Sequence, residues 1–162
     1  MRPALFRLDQ TAGRFPFRAC QADRRFSYTL YVPTSFRPEA AGSTRLLVVV
    51  HGSERAPEAA RDLFADLAEE KGCIVLAPLF PVAVTDREET HNYLFLAFEG
   101  IRFDLVLLAM VSEVAQRYGL PERGLWLAGF SGGGQFAHRF AYLHASRLAA
   151  VSIGAPGLVN TL

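Results

Sequence analysis

Two short segments carry residue types that could do chemistry. The first is Gly129-Phe130-Ser131-Gly132-Gly133. A serine with glycines two places before and two places after it fits a nucleophile elbow, G-x-S-x-G. The nucleophile must stand on a tight, strained turn so that its hydroxyl projects above a sheet. Residues two before and two after then pass close to it and to neighbouring strands, where Gly129 and Gly133 have no side chain to clash. A helix that starts at the turn aims its free amides at developing negative charge. The Gly132 amide can therefore donate to an oxyanion. The second segment is His51-Gly52-Ser53, at the end of an apolar run. Its Ser53 backbone amide would be a second oxyanion donor, with Gly52 letting the loop bend inward. Together the two segments describe acyl transfer: Ser131 attacks a carbonyl carbon and two amides hold the oxygen. Each also has a plain reading. Three fixed positions in five recur by chance, and Gly and Ser are common in turns at strand ends.

Alternating strands and helices must position these residues. Leu46–Val50 is a continuous apolar run, as in a central parallel strand buried on both faces, and it ends at His51. Residues 125–128 form another such run and lead into Gly129. Residues 73–77 and 149–153 are two more buried strands, the first stopped by Pro78. The spacing predicts a helix over 57–71, with Leu63, Phe64, Leu67 and Ala68 on one face and Gly72 as its C-cap. It predicts a second over 103–118, closed by Gly119 and Pro121, and a third over 135–144 with Phe136, Phe140 and Leu143 on one face. Residues 26–32 alternate and read as an antiparallel strand. Residues 82–101 read as a long connection. This order predicts an α/β fold, a mostly parallel sheet with helices on both faces, in a single domain over residues 1–162.

The strand ending in His51-Gly52-Ser53, the strand end Leu76-Ala77-Pro78, the Gly129–Gly134 elbow and the later Ser152-Ile153-Gly154-Ala155-Pro156 resemble the α/β-hydrolase superfamily. The likeness is greatest to its polyhydroxybutyrate depolymerase and feruloyl-esterase-like branch, and it covers about residues 26–157. The resemblance implies an α/β-hydrolase fold and a serine hydrolase acting on small carboxylic esters. It implies Ser131 as nucleophile, Ser53 and Gly132 as oxyanion donors, and no cofactor. A peptidase or dienelactone-type hydrolase is the alternative among enzymes. A non-catalytic hydrolase fragment that at most binds acyl compounds is the alternative outside them.

The family's triad runs in the order Ser, acid, His, and this sequence departs from it. The last acid is Glu122, so nothing after Ser131 can fill that place. His138 and His144 lie on the helix that Ser131 opens, ~10 and ~20 Å along its axis, whereas a base must come within ~3 Å. They are expected to be surface or half-buried helix residues. His51 is expected to brace the oxyanion loop rather than to act as base. His91 has Asp86, Glu88 and Glu89 near it in sequence but nothing to orient it. Asp104 reads as an acid that complements a helix dipole. No acid or base is assigned. In the family both follow two further strands, so the sheet is expected to be incomplete after the sixth strand, through truncation, frameshift or a partial sequence. Strand 149–153 would then lie at an open edge, and self-association through that edge is expected.

The 162 residues are 51% hydrophobic and 20% charged, which suits a folded core and excludes a disordered chain. A net charge of +1 offers no global field for nucleic acid. No apolar run approaches the ~18 residues of a membrane span, and Arg2, Arg7 and Asp9 interrupt the amino terminus before a signal-like run can form. The expected location is the cytoplasm. Cys20 and Cys73 stand in no metal or redox spacing and are expected to be reduced thiols, with no metal site.

Overall fold

The computed structural model describes residues 12–158. Arg2, Arg7 and Asp9, and the tail from 159 onward, lie outside the described residues. The strands are β1 (Gly13–Arg14), β2 (Arg18–Ala19), β3 (Ser27–Val32), β4 (Leu46–Val50), β5 (Ile74–Leu79), β6 (Ala97–Phe98), β7 (Ile101–Arg102), β8 (Leu125–Phe130) and β9 (Leu148–Gly154). The helices are α1 (Pro57–Leu63), α2 (Ala65–Lys71), α3 (Phe103–Tyr118) and α4 (Gly132–Leu143). The main sheet runs β1-β3-β5-β4-β8-β9, with β2 also paired to β3. Strands β5, β4, β8 and β9 are parallel, and β3 joins β5 antiparallel. The fold is α/β, as its alternating elements predict.

Phe64, Leu67 and Ala68 pack on one face of the sheet against Leu47, Val49, Val75 and Ala128. On the other face Leu107, Met110, Val111, Phe136 and Phe140 pack with Leu46, Val48, Val50, Leu76 and Leu127. Alternate residues of β4 therefore enter two different cores, which is why it is apolar at every position. The two faces follow from chain direction. From β4 to β5 the chain moves one way along the sheet; from β5 to β8 and on to β9 it moves the other way. Right-handed crossovers then place α1 and α2 opposite α3 and α4. The reversal falls between β4 and β8, and loops diverging from two such strands leave a crevice at their carboxyl ends. Val50 pairs with Gly129 across that junction. The His51–Ser53 loop and Ser131 thus leave the sheet side by side.

The structure corrects several element boundaries. Residues 57–71 form two helices, because Phe64 (φ −104°, ψ 5°) turns its N–H to the Arg61 carbonyl in a tighter turn. The break leaves Leu63 82% exposed, and the buried face passes to Ala60, Phe64, Leu67 and Ala68. Leu143, expected on the buried face of α4, is 60% exposed. Helix α4 begins at Gly132 rather than Gln135. Strand β5 runs through Pro78 to Leu79, because β4 has stopped pairing at Leu76 and Pro78 lies on a stretch paired only to β3. Strand β9 forms where expected and lies at the edge of the sheet, as expected, but its central residues are exposed on both faces rather than buried. The connection 82–101 holds a 3-10 turn, Asn92–Phe95, and the β6–β7 hairpin. Cys20 and Cys73 are buried free thiols. Among the described residues no helix is long and apolar enough to cross a membrane.

Candidate active site

Strand β8 delivers the chain to Ser131, whose φ of 54° and ψ of −121° lie where L-residues are strained by ~1–3 kcal/mol. The surroundings hold it there. The Ser131 N–H donates to the Gly154 carbonyl at 2.9 Å, and its own carbonyl accepts from the Gln135 N–H at 3.1 Å. The glycines allow the turn to close. A Cβ on Gly129 would lie 2.1 Å from the Gly133 carbonyl oxygen. One on Gly133 would lie 2.1 Å from the Val50 oxygen and 2.6 Å from the His51 oxygen. One on Gly134 would lie 2.6 Å from the Gly154 oxygen. The elbow is thus pressed against backbone at the ends of both β4 and β9. The run Gly132-Gly133-Gly134 is the signal of this close approach in the sequence.

The loop from His51 to Arg55 is built from β4 outward. The Gly52 carbonyl accepts the Arg55 N–H at 3.1 Å, closing a turn over Ser53 and Glu54. It also pairs with His51 Nδ1 at 2.7 Å. The C=O and N–H of a trans peptide point in opposite directions. Tying the Gly52 carbonyl back to His51 therefore turns the Ser53 N–H away from the imidazole. The Ser53 nitrogen lies 3.3 Å from the position a Gly132 Cβ would take. The structure brings Ser53, Ser131 and Gly132 together, with Gly129 and Gly133 shaping the turn.

His51 is 1% exposed, and burial pulls its imidazole down from 6.5 to about 4. The Phe80 N–H donates to Nε2 at 3.1 Å, so the ring proton is on Nδ1 and donates to Gly52. Both nitrogens are used, and His51 is a neutral brace. Tyr93 lies beneath the loop, fully buried, with its hydroxyl donating to the His51 carbonyl at 3.1 Å. The Arg55 guanidinium covers the Tyr93 ring at 5.2 Å and donates to the Phe80 carbonyl at 2.9 Å. It also bonds the Thr90 carbonyl, which ties the loop to the connection 82–101. Sequence reasoning missed Tyr93, because that connection has no periodic pattern to place it.

The other histidines are engaged elsewhere. His91 is exposed and pairs through Nδ1 with the Thr90 hydroxyl. His138 pairs through Nε2 with the Tyr142 hydroxyl at 3.2 Å. His144 Nε2 meets Asp104 at 2.8 Å. Asp104 is in the first turn of α3, as a dipole-complementing acid would be, but it is also fully buried and bonded to Arg102 at 2.6 Å. Burial would raise its pKa; the hydrogen bonds from Arg102 and His144 together outweigh that and hold it below the usual carboxylate value. Among the described residues no histidine is hydrogen-bonded to Ser131.

No protein-family model and no curated protein matches the chain. Solved structures do match. A poly(aspartic acid) hydrolase-1 from Sphingomonas sp. KT-1 superposes with a TM-score of 0.69 at 25% identity, over 86% of this chain and 54% of its own. A poly(3-hydroxybutyrate) depolymerase from Bordetella parapertussis gives 0.62 at 27% identity, over 80% of this chain and 46% of its own. An acetyl xylan esterase from Aspergillus awamori gives 0.61 at 18% identity, over 84% and 50%. The chain spans about half the length of these proteins.

Proposed function

We propose that this chain, which has the α/β-hydrolase fold of those proteins, is a serine hydrolase acting on carboxylic esters. The observation that carries the reading is Ser131 on its positive-φ turn, with the Ser53 nitrogen close beside Gly132, the next residue. Ser131 Oγ attacks the ester carbonyl carbon, and the carbonyl electron pair moves to oxygen. The two amides stabilise that oxyanion, as preorganised donors whose individual removal costs ~10²–10³ in rate elsewhere. Collapse expels the alkoxide, which takes up the proton lost by Oγ, and water then hydrolyses the acyl-serine. The proton acceptor is none of the four histidines as they stand. The chain alone is therefore expected to be a poor esterase, keeping the ~10³–10⁴-fold over water that binding and an oxyanion hole supply without a working triad.

Likeness to the depolymerase and the esterase supports an ester as substrate. Likeness to the poly(aspartic acid) hydrolase supports a second reading, hydrolysis of an amide. A fluorophosphonate probe followed by peptide mass spectrometry tests the nucleophile. Labelling at Ser131, slow for want of a histidine base and abolished by Ser131→Ala, is expected. No labelling at Ser131 would overturn the reading in favour of a non-catalytic scaffold. Parallel assays on p-nitrophenyl esters and anilides separate the two substrate classes.

A further inference from the structure

Tyr93 lies under the junction of the two amides, and nothing in its own segment explains its complete burial there. Its ring is enclosed by His51 at 5.0 Å and Phe80 at 5.5 Å between centroids, with Phe136 beyond at 6.3 Å. Its hydroxyl is the one polar atom the side chain carries into this aromatic packing. That hydroxyl donates to the His51 carbonyl, and the Ser53 hydroxyl lies close beside it. A Cβ on Gly132 would lie 2.6 Å from the Tyr93 oxygen, 3.0 Å from Ser53 Oγ and 3.3 Å from the Ser53 nitrogen. One oxygen thus holds the loop at the His51 carbonyl and lies beside both Ser53 and the first residue of α4. Burial pushes the phenol above its ordinary value, so it stays a neutral donor across working pH.

We propose that Tyr93 is a positioning residue, whose hydroxyl sets the separation and aim of the Ser53 amide relative to the Gly132 amide. The inference rests on the serine-hydrolase reading. The physical reason is leverage. The His51 carbonyl lies one peptide before the Gly52 carbonyl that fixes the Ser53 N–H, and the Ser53 hydroxyl lies on the same residue as that N–H. Bonding the first while packing beside the second leaves the loop little freedom to rotate its donor away. Gly132, having no Cβ, admits the Tyr93 oxygen where any other residue would exclude it. A donor displaced by ~1 Å loses much of its effect on a developing charge, so Tyr93 acts through Ser53 and not on substrate.

The test is the rate of Ser131 phosphonylation by a fluorophosphonate in the full chain, with p-nitrophenyl acetate hydrolysis alongside. Tyr93→Phe keeps the ring and removes the oxygen. It is expected to slow labelling about tenfold and to lower kcat with KM unchanged. Ser53→Ala, at an exposed loop position that keeps the amide, is expected to slow labelling in the same direction. The double variant should be no slower than Tyr93→Phe alone, because the Ser53 hydroxyl acts only through the Tyr93 oxygen. Equal labelling of wild type and Tyr93→Phe would overturn the positioning role while leaving Ser131 as nucleophile. Additive losses in the double variant would overturn the route through Ser53. If Tyr93→Phe does not fold, an unchanged rate in Ser53→Ala overturns the proposal by itself. Absence of wild-type labelling at Ser131 would overturn the hydrolase reading, and the positioning role with it.

Discussion

At Gly133 a single methyl group decides whether the elbow can close. A Cβ there would meet the Val50 and His51 carbonyl oxygens, backbone at the centre of the sheet with no room to yield. Gly133→Ala is expected to cost about 3 kcal/mol by overpacking. Gly42→Ala, where a Cβ meets nothing, should change stability by less than ~0.5 kcal/mol. Urea unfolding of the two variants compares them, and equal midpoints would refute the close approach of elbow and β4. His51 makes a second prediction at this scale. Its folded pKa of about 4 lies below its ordinary 6.5, so protonation favours the unfolded chain. Its contribution is complete above about pH 6.5 and is lost as pH falls through about 4, a change of about 3 kcal/mol for a fully buried ring. Nitrogen chemical shifts of the imidazole should show a neutral Nδ1–H tautomer down to about pH 5. An imidazole that titrates near 6.5 would contradict the brace.

At the scale of elements, helix ends matter more than helix middles. The amino-terminal turn of α3 and the carboxyl end of α4 are joined by Asp104, with Arg102 and His144 as its partners. This tie fixes α4 at the end opposite Ser131, so the helix that Ser131 opens is held at both ends. Asp104→Asn keeps the shape and removes the charge. It is expected to cost about 2 kcal/mol, as for a hydrogen bond to a buried charged group. The folded pKa is lowered, so the contribution is present above the unfolded value near 3.9 and is lost as pH falls through the folded one. Thermal melts of wild type and variant should therefore differ at pH 7 and converge on strong acidification. A constant difference across that range would show that the charge is not what matters.

Across the whole molecule, the sheet has one end that nothing covers in the described chain. Strand β9 pairs only with β8, and Val151 and Ile153 are 42% and 36% exposed. Phe130, Tyr142 and Leu143 are exposed as well. An apolar edge strand with unpaired amides is a template for another strand. We propose that isolated copies of residues 1–162 associate through β9. Light scattering across a dilution series should show a concentration-dependent mass, and Val151→Lys should shift it toward the monomer. A wild-type monomer at every concentration would end this proposal.

The order of strands and helices, and the turn at Ser131, were determined by the sequence alone. Their signals are local: Leu46–Val50 is apolar at every position, and Gly129 and Gly133 bracket the serine within five residues. Helix boundaries were legible to within a few residues, except where the turn at Phe64 broke a continuous pattern. Only the tertiary structure decided that β4 and β8 are neighbours, and hence that Ser53 comes beside Gly132. It alone put Tyr93 under His51, 42 residues away in the chain, and His144 on Asp104, 40 residues away. Each of these depends on contacts between distant residues, which leave no period in the sequence. The aromatic and charged residues that make them become identifiable only once crossovers and packing bring the segments together.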